Sequence, residues 1–204
     1  MHINNIDKII SIIQDNDLRT GDFYYLQIIK RKKENPEIKN NIIIKNYMIR
    51  DSYHLRSLFE EISLICRDNN ARCYFYVNKR NIKNISFMTI SDLAIKIDTG
   101  NEKSINEDYF SSIICRNSYE ERDNKNYIID IDSKDKDTIS SYIKIYKETC
   151  KKRNSRIKYS IIDTVNGVHV IAKVFDIKLF NDLLNIEKLE HVQVFSDNCT
   201  LLLY

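Results

Sequence analysis

The alternation of apolar and polar positions divides the 204-residue chain into elements before any chemistry is considered. Ile6, Ile9, Ile10 and Ile13 recur at helical spacing and predict a short amphipathic helix over 5–14. "DFYYLQIIKRKK" (22–33) and "NIIIKNYMIR" (41–50), rich in aromatic and β-branched residues, predict two strands, joined as a hairpin across the segment that holds the one proline. Asp51 or Ser52 then caps a helix with Leu55, Leu58, Phe59, Ile62 and Ile65 on one stripe, ending near 67–70. "ARCYFYVN" (71–78) predicts a further strand, and 86–98 and 104–116 two less clearly phased helices.

From residue 126 the pattern is more regular. Strand "NYIIDID" (126–132) precedes a helix over 136–152 with Ile139, Tyr142, Ile143 and Tyr146 on one face. Strand "RIKYSII" (156–162) leads through "DTVNG" to strand "VHVIAKV" (168–174). Asp176 caps a helix carrying Ile177, Phe180 and Leu184, and "HVQVF" (191–195) and "CTLLLY" (199–204) close the chain. The order β-α-β-β-α-β with an extra terminal strand predicts the α+β class. It implies a ferredoxin-like or RRM-like (split βαβ) antiparallel sheet over 121–204, packed as one globular unit with an N-terminal α/β lobe over 1–120.

That order puts specific residues together. The first and third strands of such a sheet are antiparallel neighbours, so the end of 126–132 lies beside the start of 168–174. With a side-chain period of two, Asp130 and Asp132 share a face, and His169 meets them on the open side of the sheet. Paired carboxylates on a rigid strand suit one or two hard divalent cations, Mg²⁺ or Mn²⁺, of the kind that clamp attacking and leaving oxygens in phosphoryl transfer. Gly167 lets backbone approach a phosphate or the neighbouring strand closely, and Lys173, two pleats beyond His169, shares its face and suits a phosphate. Each residue also has a plain structural reading: a turn-forming Asp, a satisfied strand His, a hairpin Gly. Their convergence is what favours chemistry.

Composition changes this picture little. The charged fraction is 30% and the net charge +3, too small for the whole-molecule field to argue nucleic-acid binding, though a local basic face remains open. No apolar run approaches the roughly 18 residues of a membrane span, which predicts a soluble, cytoplasmic protein, in the host cytoplasm if phage-encoded. Cys66, Cys73, Cys115, Cys150 and Cys199 show no CxxC spacing, so neither a zinc ribbon nor a disulfide framework is indicated. Three glycines in the whole chain fall far below the usual ~7%, so each needs a reason.

The motifs "YIIDID" (127–132), "TVNGVHVIA" (164–172) and "VFSDN" (194–198) resemble, in order and rough spacing, those of the archaeo-eukaryotic primase (primase-polymerase) superfamily. The resemblance covers the last 80 or so residues, and the whole chain also looks like a group of short phage proteins. It implies an RRM-like catalytic core that adds nucleotides to a nucleic-acid strand. Asp130 and Asp132 would be metal ligands and catalytic, His169 would contact the phosphates of the incoming nucleotide, and Asp197 would be the third acid. Thr164 stands where the family carries a serine ahead of the motif glycine, so Thr164, Gly167, His169 and Lys173 form the expected nucleotide-binding set. Partners would be nucleic acid, nucleoside triphosphates and replication proteins, since no zinc-binding motif or helicase domain accompanies the core. Asp197 falls beside the pair if "CTLLLY" is the fourth core strand and away from it if "HVQVF" is; the first arrangement is preferred.

Two other classes stay open: a catalytically inactive RRM-like nucleic-acid or protein-binding module, with Tyr127, Tyr159, Phe75, Tyr74 and Tyr76 as stacking surfaces, and a metal-dependent nuclease. A two-histidine phosphoesterase is disfavoured, because neither His169 nor His191 is followed two places on by a hydroxyl residue.

Overall fold

The computed structural model describes residues 3–15, 18–106, 108–118 and 124–204. The first half runs α1 (Ile6–Gln14), β1 (Asp22–Lys30), β2 (Ile42–Ile49), α2 (Ser52–Asp68), β3 (Arg72–Tyr76), β4 (Arg80–Asn81), α3 (Ile82–Asp98) and α4 (Tyr109–Arg116). The second half runs β5 (Asn126–Ile131), α5 (Lys136–Lys152), β6 (Tyr159–Asp163), β7 (Val168–Lys173), α6 (Ile177–Ile186), β8 (Gln193–Phe195) and β9 (Cys199–Leu203). The fold is mixed α+β, as the pattern predicts, with two antiparallel sheets. One has the order β2-β1-β3-β9, with β4 on the start of β1; the other has the order β6-β7-β5-β8. The expected lobe boundary at 120/121 lies outside the described residues.

Local chemistry accounts for the helix ends. The Asp51, Asp135 and Asp176 side chains each accept a backbone N–H three residues on, as N-caps should. At the C-termini of α2 and α5 the chain turns through Asn70 and Asn154 in the left-handed region, at φ 46° and 51°. There Ala71 N–H reaches Cys66 O and Ser155 N–H reaches Cys150 O, the six-to-one bonds of Schellman ends. Asparagine, the next most tolerant residue after glycine, thus does the work usually left to glycine.

Tertiary packing overturns two expectations. "CTLLLY" is not the fourth strand of the second sheet: β8 pairs with β5, while β9 crosses back to pair with β3. The cause is burial, since β9 is buried from Thr200 to Leu203 and a strand hidden on both faces needs cover on both. The short β8, with Gln193 exposed, suits an edge. The sheet face expected to be open is also largely covered. Ile128, Ile162 and Ile171 share one core cluster with Ile9 and Ile13 of α1 and Leu202 of β9. The opposite face, Ile129, Ile131, Val168 and Val170, packs under α5 and α6.

Asn5 closes the seam between the sheets. Its amide donates to Asp163 O and Leu201 O, both at 2.9 Å, and accepts from Asp163 N–H. At 1% exposure it is a buried polar bridge with its bonds made. No helix among the described residues is long and apolar enough to cross a membrane.

Candidate active site

Asp130 and His169 are direct cross-strand partners in the β5–β7 ladder, and His169 Nε2 lies 3.3 Å from Asp130 Oδ1. The pairing follows from alternation: Ile129 and Ile131 take the helix-covered face, which leaves Asp130 on the face toward α1 and β9. His169 Nδ1 is 2.9 Å from Thr200 Oγ1 of β9, so the ring is held from both sides. With the Thr200 hydroxyl donating to Nδ1, Nε2 carries the proton and points it at the carboxylate. Thr200 is fully buried and contributes orientation rather than reaction. His169 and Asp130 keep 19% and 28% of their side chains exposed, so the pair opens to solvent at its rim.

Asp132 follows the end of β5 and is exposed. Asp130, Asp132, Ser133, Glu190, His191 and Gln193 line an open cleft of about 360 Å³ between the β5–α5 loop and the approach to β8. Three carboxylates and few cations face it. Among the described residues, no group of three or more His, Cys, Asp and Glu side chains is gathered closely enough to hold a metal ion by itself. The donor set still suits a hard cation, because Mg²⁺ is commonly held by one or two carboxylates with water and substrate phosphates completing the shell.

Gly167 has a steric reason for being glycine. A Cβ there would sit 2.0 Å from Ile131 O and 2.6 Å from Ser133 N, so the β7 start can lie against the β5 end without a side chain alone. Thr164 closes the same turn: its hydroxyl accepts from Gly167 N–H and its N–H donates to Gly167 O. Both residues face a different cavity from the acidic cleft, a groove between α5 and β6.

Two further expected residues are not brought to the pair. Lys173 shares the His169 face but pairs with Asn126, four residues along β5 from Asp130 and so about 13 Å away at ~3.3 Å per residue. Its ammonium donates to Asn124 O. Asp197 lies beyond β8 at the same far end. Arg80 grips it with two nitrogens, each at 3.2 Å, and Asn78 Nδ2 adds a bond at 3.3 Å. Arg80 is fully buried and also donates to Ile114 O, Asn78 O and Cys115 O, which places Asp197 in a structural ion pair. The third acid is therefore separated from the pair, because β8 rather than β9 joins β5.

The sequence reading missed Thr200, Arg80, Asn78 and Glu190. Glu190 had a local signal, an acid beside His191 just before a predicted strand; the others act through long-range contacts that no spacing announces. The aromatic residues considered for stacking are mostly core: Phe75 packs on Tyr24, Tyr76 on Tyr25 and Tyr127 on Phe175. Burial pushes all five thiols up, Cys199 and Cys66 to about 12, so none is a ready thiolate nucleophile. No family model matches the chain, and no curated protein or solved structure matches it either.

Proposed function

We propose that the chain is a metal-dependent nucleotidyltransferase of the primase-polymerase type. In this reading the 3′-hydroxyl of a strand loses its proton to water and attacks the α-phosphorus of a nucleoside triphosphate, a new phosphodiester forms, and pyrophosphate leaves with the α–β bond's electrons. The observation that carries it is the in-register Asp130–His169 pair at 3.3 Å, with Asp132 lining a cleft that Asp130 also reaches. Asp130 and Asp132 would hold Mg²⁺ or Mn²⁺, which supplies charge stabilisation at the attacking and leaving oxygens. His169, held in place by Thr200, would offer an Nε2 proton to a phosphate oxygen of the incoming nucleotide. The buried Thr200 behind the ring restrains its rotation.

The test is a primed template with nucleotides and Mn²⁺ or Mg²⁺, run on the unaltered chain and on Asp130→Ala. Extension that disappears in the variant supports the reading; absence of extension in both, or shortened strands, overturns it, and shortening points to a nuclease. A second reading, a nucleic-acid-binding module without turnover, is favoured by one observation: Asp197 is committed to Arg80. Strands shifted on a gel but unaltered in length would select it.

A further inference from the structure

A groove of about 730 Å³ runs between one face of α5 and the edge strand β6. Lys136, Ile139, Ile143 and Lys147 supply the helix side at spacings of three, four and four. Tyr159 and Ile161 supply the floor. Lys134 joins the rim, two residues from Asp132, so the β5–α5 loop has the acidic cleft on one side and this basic groove on the other. The groove's acid, Asp163, is paired with Lys8, which leaves Lys136 and Lys147 as a positive excess along the helix side.

We propose that this groove binds a single strand of nucleic acid and delivers its end across the β5–α5 loop to Asp130 and Asp132; the delivery rests on the proposed nucleotidyl transfer, the binding does not. Charge spacing selects the occupant. Lys136 and Lys147 stand eleven residues apart on one helix, about 16 Å at 1.5 Å per residue. Cations strung out over that length suit successive phosphates of a polyanion rather than the clustered phosphates of one nucleotide. The isoleucine floor and half-buried Tyr159, with Lys147 Nζ 5.3 Å from its ring, offer bases an apolar bed. An added peptide strand fits less well, since Asn5 already occupies both the N–H and the C=O of Asp163 on β6.

The experiment is fluorescence anisotropy of a labelled single-stranded oligonucleotide in EDTA, where no metal chemistry intervenes. Lys136→Glu with Lys147→Glu should weaken binding about tenfold or more and flatten its salt dependence by about two charges. Lys144→Glu, a charge reversal outside the groove, should change it far less. Equal loss in both variants, no loss in either, or displacement of the oligonucleotide by a mononucleotide or a peptide at similar concentration overturns the proposal. Binding that behaves as expected beside absent extension would leave the groove standing and remove the polymerase reading. Extension unaffected by the double reversal would do the opposite.

Helix α3 carries a separate surface. Among its described residues Ile85 alone is buried, while Phe87, Ile90 and Ile97 are 62%, 64% and 60% exposed. Phe87, Ile90, Ala94 and Ile97 follow the three-four-three spacing of a helix-pairing seam, on the side opposite Ile85. We infer that this seam pairs antiparallel with α3 of a second copy. That arrangement sets bulky Phe87 against small Ala94, brings the two Ile90 side chains together, and lays Lys83 near the partner helix's Asp98 end, where charges are opposite. Sedimentation should show a dimer that Ile90→Glu converts to monomer. Lys83→Asp should weaken it, and adding Asp98→Lys should restore it. A monomer at all concentrations, or a dimer indifferent to Ile90→Glu, overturns the pairing; unchanged thermal unfolding of the variant confirms that the fold itself is intact.

Discussion

Asp130 and Asp197 lie at opposite ends of one short piece of sheet and meet opposite fates. Asp130 pairs with a histidine at a rim where the two side chains keep 28% and 19% of their surface exposed. Asp197 is held by a fully buried arginine, itself bonded to three backbone carbonyls. A fully buried guanidinium with its donors used is committed, because moving it would leave a charge unpaired in low dielectric. An imidazole at a wet edge can exchange partners at little cost. The same residue type therefore reads as architecture at one end and as chemistry at the other.

The comparison is broken most directly at the buried end. Arg80→Met should cost about 3–5 kcal/mol, the usual loss when one member of a buried pair is removed, measured by urea unfolding. Arg80→Met with Asp197→Leu should recover much of that loss, since no stranded charge remains. If Arg80→Met proves nearly neutral, Asp197 is not architectural. Gly167→Ala should cost about 1–3 kcal/mol or more through overpacking, because its Cβ has nowhere to go beside Ile131 O. It should also misalign His169 against Asp130, seen as a shift in the imidazole NMR resonances.

At the open end the expected pattern is reversed. Asp130→Asn should change stability by less than about 1 kcal/mol while abolishing extension; a large stability loss with activity retained would make the pair structural after all. Thr200→Val should cost about 1 kcal/mol, the net worth of one buried hydrogen bond, and should shift the His169 imidazole NMR resonances as Nδ1 loses its partner. The smallest effect concerns acid. The Leu179 backbone N–H, and then Arg153, hold the Asp176 carboxyl below the usual carboxylate range. A lowered folded-state pKa stabilises above the unfolded value of about 3.9 and is lost as pH falls through the folded one. Asp176→Ala should therefore be less stable than the parent at pH 7, with the gap closing below pH 4 in thermal melts.

Much of the second half was legible because its signals are local and periodic. Alternation alone separates Ile129 and Ile131 from Asp130, and element order alone sets β5 beside β7, so the Asp130–His169 meeting follows from both. Gly167 stood out because the chain uses so little glycine. Asp176 read as a helix cap and is one, accepting from Leu179 N–H. Arg80 did not stand out among 32 basic residues, and nothing near Thr200 marks it as the partner of a histidine 31 positions earlier.

The sequence by itself determined which residues alternate, where the Asp-capped helices α2, α5 and α6 begin, and that Asp130 and His169 meet across one strand pair. Only the tertiary structure decided which terminal strand completes the sheet, whether its face lies open, and where Asp197 ends. The reason is energetic. Period and capping are set by neighbours a few residues apart, whereas β8 and β9 compete for places by total burial. Three consecutive leucines gain more inside the first sheet, paired with β3 and covered by α1, than at the edge of the second.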